Sequence, residues 1–302
     1  MLIDRAKLIE AHELVGFQFQ APNFLLPNRE SSQEASSTSK AIPLVTMWHR
    51  GRFEPSLIAD SPDRSRSWRD EALNEALSMI EQEHGITVGG LAFWREIARF
   101  NGCDKRGIQQ NSGMKRVAFD DLVSTCLERD LLFYLEEWQS DATEEPPRQL
   151  LYWTDPGLLN HLLDLREEAL LDWTGKQPES IREQQEFIRG KSWEGFAISA
   201  LLRATLGATR GSFWQAPSGE IDLILDWRNS DKIWAVEMTT GRRKAVDGGF
   251  KSGFQATDSD RAMIVHPANQ KPPSLQGSSR VDIDIEKMSL EIALKAVLEG
   301  PA

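Results

Sequence analysis

Gly219-Glu220-Ile221-Asp222-Leu223-Ile224-Leu225 is the stretch on which the fold turns, together with Ala235-Val236-Glu237-Met238-Thr239-Thr240-Gly241. Both are short, rich in aliphatic residues and bounded by turn formers, which reads as a pair of strands. Strict alternation places Glu220, Asp222, Ile224 and Asp226 on one face of the first strand and Ile221, Leu223, Leu225 and Trp227 on the other. In the second strand Glu237 and Thr239 share a face, and Trp234, Val236 and Met238 fill the opposite one. Two such strands side by side aim Asp222 and Glu237 into one cleft.

Two carboxylates and a backbone carbonyl, that of Met238, form an oxygen donor set suited to Mg²⁺ or Mn²⁺. A metal held there activates water and neutralises a phosphodiester. Glu194, one turn into the preceding amphipathic helix, is placed to orient a ligand or water. Solvated acids on a half-buried sheet would explain the same two residues. The order of helix, strand, acid strand and acid strand favours the cleft.

The chain has 302 residues, room for about two domains. Its 46 Asp and Glu against 35 Lys and Arg give a net charge of −11 and a pI near 5.1. That balance excludes a chain whose whole surface grips phosphate, so contact with nucleic acid must rest on local patches. Cys103 and Cys126 read as thiols of a reducing compartment. No apolar run reaches membrane length and no signal pattern opens the chain, so a soluble, cytoplasmic protein is expected. Ten tryptophans against two tyrosines sit among Leu, Ile and Phe and read as core.

Residues 1–87 read as an N-terminal segment of helical and extended pieces with a Ser-rich mobile loop at 28–40. Apolar spacing predicts helices at 68–83, 91–100 and 114–129, and the polar stretch at 103–113 between the last two reads as a turn, with a short helix as the open alternative. Strands are predicted at 131–138 and 148–154, around an acidic loop. That order is the winged-helix order, over 88–165. Lys105, Arg106, Lys115 and Arg116 are its candidate nucleic-acid residues. The acidic wing and Asp120, Asp121 and Glu128 make protein contact an equal expectation. The third region, 166–302, is predicted to hold an amphipathic helix at 192–206. Strands follow at 211–215, 220–228, 232–239, 261–266 and 281–285, with a closing helix at 286–298. The fold class is α/β (α+β), a helical region followed by a mixed sheet covered by helices.

Several segments together resemble the region that follows the ATPase module in a family of prokaryotic AAA+ ATPases. They are Trp48-His49-Arg50-Gly51-Arg52-Phe53-Glu54-Pro55-Ser56-Leu57, Trp68-Arg69, Leu151-Tyr152-Trp153-Thr154-Asp155-Pro156-Gly157-Leu158-Leu159, Lys191-Ser192-Trp193-Glu194, Ser218-Gly219-Glu220-Ile221-Asp222 and Val236-Glu237. The resemblance implies a winged helix followed by a restriction-endonuclease-like domain of the PD-(D/E)XK superfamily. Asp222 and Glu237 would be metal ligands, with catalytic positions at Glu194, Asp222, Glu237 and Thr239.

Two departures shape the expected activity. Gly190-Lys191-Ser192 mimics the tail of a P-loop, but Gln185 stands where its first glycine belongs, so no ATP site is assigned and the chain is expected to begin after the ATPase module. Thr239 occupies the position where the superfamily has a lysine, and threonine cannot supply that cation. Arg242, Arg243, Lys244 and Lys251 are candidates for a relocated charge, and Lys244 joins the site on that ground. The expected function is a DNA-associated accessory or regulatory module with cleavage impaired or absent. The alternatives are an active Mg²⁺- or Mn²⁺-dependent nuclease with a relocated Lys or Arg, and a non-enzymatic partner of a separate ATPase. Homo-oligomerisation stays open. His49, His84, His161 and His266 show no ligand spacing and read as structural or surface residues.

Overall fold

A computed structural model describes residues 2–3, 42–84, 91–139, 146–167, 170, 179–240, 248–267 and 283–301. The predicted loop at 28–40, the acidic loop at 140–145 and Arg242, Arg243 and Lys244 lie outside the described residues. The protein is mixed α/β, with ten helices and an eight-stranded mixed sheet among the described residues. Two compact units divide the chain: 1–133 with 152–185, and 134–151 with 186–302.

The first unit holds a two-residue antiparallel pair, β1 (Leu2–Ile3) with β2 (Ile42–Pro43). It then holds α1 (Leu44–Arg50), α2 (Glu54–Leu57), α3 (Pro62–Glu83), α4 (Leu91–Arg99), β3 (Cys103–Asp104), α5 (Lys105–Ser112), α6 (Arg116–Glu128) and α7 (Pro156–Leu162). Helix α3 starts six residues before the predicted 68, because Ser61 accepts a hydrogen bond from the Arg64 N–H and Pro62 fits the first helical position. Asp104 caps α5 and Gly113 ends it in the left-handed conformation. The polar stretch at 103–113 therefore holds the short helix left open for it. Trp48, Leu73, Ala76, Ile80, Trp94, Phe119, Leu122 and Leu158 are buried in this unit.

The end of α1 is clamped by tertiary contacts. Its last carbonyls have no helical partner of their own, and each finds a donor: Asn160 Nδ2 on Trp48 O (2.8 Å), Arg69 Nη1 on His49 O (2.6 Å) and Ser56 Oγ on Arg50 O (2.7 Å). Asp155 then caps α7 through Leu158 N–H (2.8 Å) and also accepts the N–H of Arg52 (2.8 Å). Gly51 adopts φ +82°, and a Cβ there would collide with the Asp155 carboxylate. A Cβ on Gly157 would collide with the Arg50 carbonyl.

The strands pair in the order β10-β9-β8-β7-β6-β4-β5-β3. They are β4 (Leu132–Glu137), β5 (Gln149–Trp153), β6 (Thr209–Ala216), β7 (Gly219–Trp227), β8 (Lys232–Met238), β9 (Arg261–His266) and β10 (Ile285–Ser289). β6–β7 and β7–β8 are antiparallel, while β8–β9, β9–β10 and β4–β6 are parallel. A parallel step needs a crossover, and α9 (Gly248–Ala256) supplies it between β8 and β9. Helix α8 (Glu179–Ala204) runs unbroken through Gly190 and into the second unit, and α10 (Leu290–Glu299) closes the described chain.

Three predictions need correction here. The amphipathic segment at 192–206 is the later part of α8 and not a separate helix. Residues 286–289, expected to be helical, extend β10 in parallel register with β9, and Ser289 caps the helix only afterwards. Helix α9 was missed because its start, Gly248-Gly249, carries two of the poorest helix formers. Of the tryptophans, Trp48, Trp94, Trp153, Trp193, Trp227 and Trp234 are buried, in keeping with a core role. Among the described residues no helix is long and apolar enough to cross a membrane.

The clamp makes a sharp prediction. Gly157→Ala forces a methyl group onto a backbone carbonyl and is expected to cost roughly 2–3 kcal/mol. Gly190→Ala meets open space in mid-helix and is expected to stabilise by about 0.5–1 kcal/mol. Thermal or urea unfolding of the two variants checks the pair, and equal effects would refute the clamp.

Candidate functional site

Asp222 owes its placement to a defect in the sheet. β6 and β7 pair Ser212 with Ile224 and Trp214 with Ile221. Two residues of β7, Asp222 and Leu223, therefore stand against the single Phe213 of β6. Such a β-bulge breaks alternation and re-aims the side chains within it. Ile221 and Ile224, assigned by alternation to opposite faces, consequently pack in one cluster with Ala235, Phe250 and Ala262. Gly219, at φ +150°, lets α9 pack there, since a Cβ would meet the backbone of Gly249.

The ladder between β7 and β8 ends at Leu223↔Val236. The next residues along it are Asp222 and Glu237. Asp222 Oδ2 accepts the backbone N–H of Met238 at 2.7 Å, so a carboxylate takes the place of the next ladder carbonyl. Thr239 N–H remains bonded to Val265 O at 3.0 Å, on the β9 side. Asp222, Glu237 and Thr239 are all buried.

Helix α8 brings the third acid and a cation. Glu194 is buried, and Lys191, three residues earlier, sets its Nζ 2.9 Å from Oε1 and 2.8 Å from Oε2. The two side chains are 24 % and 10 % exposed, unlike an ordinary surface pair of this spacing. Burial works against the Lys191 ammonium, but Glu194, then Asp222 and Glu220, more than offset it and hold its pKa well above the usual lysine range. Lys191 is thus electrostatically coupled to acids on both α8 and β7. A lysine so held is a permanent cation, unfit as a base and suited to receiving negative charge.

Sequence reasoning quoted Lys191 only as part of a motif and assigned it no role. The signal was the i, i+3 spacing of Lys191 and Glu194 on a helix with Trp193, Ala197 and Leu201 buried. Of the residues considered for a relocated charge, Arg242, Arg243 and Lys244 lie outside the described residues. Lys251 sits on α9, next to Phe250 of the cluster that contains Ile221.

The donors at the β7–β8 mouth are oxygens. Among the described residues no group of three or more His, Cys, Asp or Glu could hold a metal ion. Mg²⁺ asks for less: one or two carboxylates, with waters and substrate phosphate completing its shell. Asp222 and Glu237 are the carboxylates at this end of the ladder that could offer it oxygens. When bound, the ion would polarise a phosphoryl oxygen and acidify a water.

The four basic residues proposed for nucleic acid are not equivalent. Lys105 Nζ lies 2.7 Å from Asp120 Oδ1 and Arg116 Nε 3.7 Å from Asp120 Oδ2, so one carboxylate serves both. Arg106 and Lys115 are exposed. Gly190-Lys191-Ser192 lies within α8, where a P-loop would need a loop entering a helix. His49, His84, His161 and His266 bond to Leu165 O, Thr125, Asp70 and Pro267 O respectively.

Comparison with models of protein families, with curated proteins and with solved structures gives no match for this chain.

The direction of the Lys191 shift fixes a pH dependence. A cation whose pKa rises on folding stabilises fully below its unfolded value, here 10.5, and that contribution is lost only as pH climbs through the higher folded value. The difference in unfolding midpoint between the wild type and Lys191→Met should therefore be constant from pH 7 to 10. Denaturant unfolding across that range measures it, and a difference that fades below pH 10 would contradict the arrangement.

Proposed function

We propose that this protein is a DNA-associated module whose second unit carries a nuclease-type cleft of the PD-(D/E)XK kind, taking Mg²⁺ or Mn²⁺ on Asp222 and Glu237. The observation that carries this reading is Asp222 on a β7 bulge where the β7–β8 ladder ends, with its carboxylate on the Met238 N–H, Glu237 next on β8 and both acids buried. Buried carboxylates are costly unless something compensates them. A cleft that gathers them without a full metal cage suits an ion that shares its shell with a phosphate ligand.

The helical region supports a DNA-associated role. Elements α4, β3, α5, α6, β4 and β5 follow the winged-helix order, and β3, β5 and β4 are neighbours in the sheet. Helix α6 would be the recognition helix, with Lys115 and Arg116 at its start. Docking of a protein partner, such as a separate ATPase, is the second reading of that surface, favoured by Asp120, which pairs with Lys105 and offsets part of the positive charge beside Arg116.

Manganese binding tests the cleft. The wild type should bind Mn²⁺ in a titration followed by electron paramagnetic resonance, and Asp222→Asn and Glu237→Gln should each weaken it about tenfold or more, the cost of one lost ligand charge. Unchanged affinity in both variants would sink the metal reading. For the helical surface, Lys115→Glu with Arg116→Glu should abolish salt-dependent binding to duplex DNA. Duplex binding that survives this double change would leave protein docking as the role of that face.

A further inference from the structure

We infer that His49 is held as an imidazolium between Leu165 and Glu167, and that its proton latches the chain leaving α7 onto α1. The segment is fixed while His49 is charged and released when it is neutral. All the residues involved belong to the first unit, and the proposed cleft plays no part.

A neutral imidazole has one N–H donor and one bare nitrogen that accepts; only the charged ring donates from both. Both ring nitrogens of His49 face oxygen acceptors. Nε2 lies 3.1 Å from the carbonyl oxygen of Leu165. Nδ1 lies 3.6 Å from Oε2 of Glu167, longer than a hydrogen bond but within ion-pair reach. With the proton on Nε2 alone, the bare Nδ1 faces a carboxylate. With it on Nδ1 alone, the bare Nε2 faces a carbonyl. Each neutral tautomer sets lone pair against lone pair, and only the imidazolium meets both oxygens with N–H. Burial disfavours the charged ring and the adjacent carboxylate favours it. The two side chains are 8 % and 27 % exposed, so water screens their attraction poorly.

The surrounding charges leave Glu167 as the carboxylate that reaches the ring. Thr46 Oγ1 donates to its Oε1 at 3.2 Å, and Arg50 Nε stands 4.0 Å from its Oε2. On α3, Arg69 Nη1 donates to the His49 carbonyl at 2.6 Å, and Arg66 is paired with Asp164. Asp155, at the head of α7, is engaged by the N–H groups of Arg52 and Leu158. His161 of α7 is turned to Asp70, Glu54 of α2 is exposed, and β2 brings no titratable group. Arg50 and Arg69 oppose a further cation, and Glu167 offsets them.

The start of the segment is anchored whatever the charge, because Leu165 N–H is bonded to Asn160 O and Asn160 Nδ2 to Trp48 O, both at 2.8 Å. Beyond it, Leu165 O and the Glu167 carboxylate are tied to α1 by Thr46, His49 and Arg50. Of these three, His49 is the one whose charge changes in the physiological pH range. Loss of its proton removes a donor from one oxygen or sets repulsion at the other. The attraction is fully present below the unfolded value, about 6.5, and is lost as pH rises through the higher folded one.

Histidine-ring NMR on the full chain from pH 5 to 9 tests the charge. The His49 resonance, identified as the one missing from His49→Gln, should titrate at higher pH in the wild type than in Glu167→Gln. In the wild type it should also titrate above the ordinary value of about 6.5. Trypsin cleavage after Arg166, which is exposed, tests the latch. Relative to His49→Gln at the same pH, a ratio that cancels the protease's own pH dependence, the wild type should be cut several-fold more slowly at pH 6 and equally fast at pH 9. A wild-type ring that titrates at or below about 6.5, or at the same pH as in Glu167→Gln, overturns the inference. A cleavage ratio that does not change with pH overturns it too. The wild-type ring can also be assigned through its contact with Leu165, so its titration decides the matter even if a variant fails to fold.

Discussion

The pairing of the Lys191 ammonium with poorly solvated carboxylates is the interaction on which the second unit's cleft depends. A carboxylate removed from water must find donors or a cation, and removing one partner of such a pair typically costs about 3–5 kcal/mol. Glu194 is answered by Lys191 on the same helix, and Asp222 by the Met238 N–H and by the nearby ammonium. Helix α8 must therefore continue unbroken through Gly190, and β7 must carry a bulge where Asp222 turns.

In the first unit a second buried acid organises the packing. Asp155 is driven upward in pKa by burial, against the Arg52 charge and the N–H groups of Arg52 and Leu158. Arg69, also buried, has its pKa lowered to about 10 by desolvation while it caps the His49 carbonyl. The segments 48–57 and 151–159, noticed for their resemblance to a family, meet here. Their glycines and polar residues let the end of α1 and the start of α7 approach each other with every named carbonyl satisfied. The composition of both segments thus has a packing reason.

Much of the fold was legible because its signals are local. Ser61, Asp104, Asp155 and Ser289 each cap the helix that follows, and β9 occupies the residues that its apolar run predicts. The strand boundaries of β7 and β8 differ from the predicted ones by a residue. What failed had non-local causes. Helix α9 has little propensity and forms because Gly219 and Gly253 let it lie against Ile221 and Trp214. β10 is a strand because β9 offers a parallel edge. Alternation along β7 failed at one bulge, a feature set by its partner β6 and invisible in β7 itself.

The sequence by itself determined the presence of two acid-bearing strands and an amphipathic helical stretch before them. Those are properties of residue type and spacing, and spacing follows the chain. Only the tertiary structure decided that Lys191, bonded to Glu194 on its own helix, also lies in the field of the β7 acids, because Lys191 and Asp222 are separated by 31 positions. Coulombic interaction depends on distance in space and not on separation along the chain, so such a grouping leaves no recognisable motif.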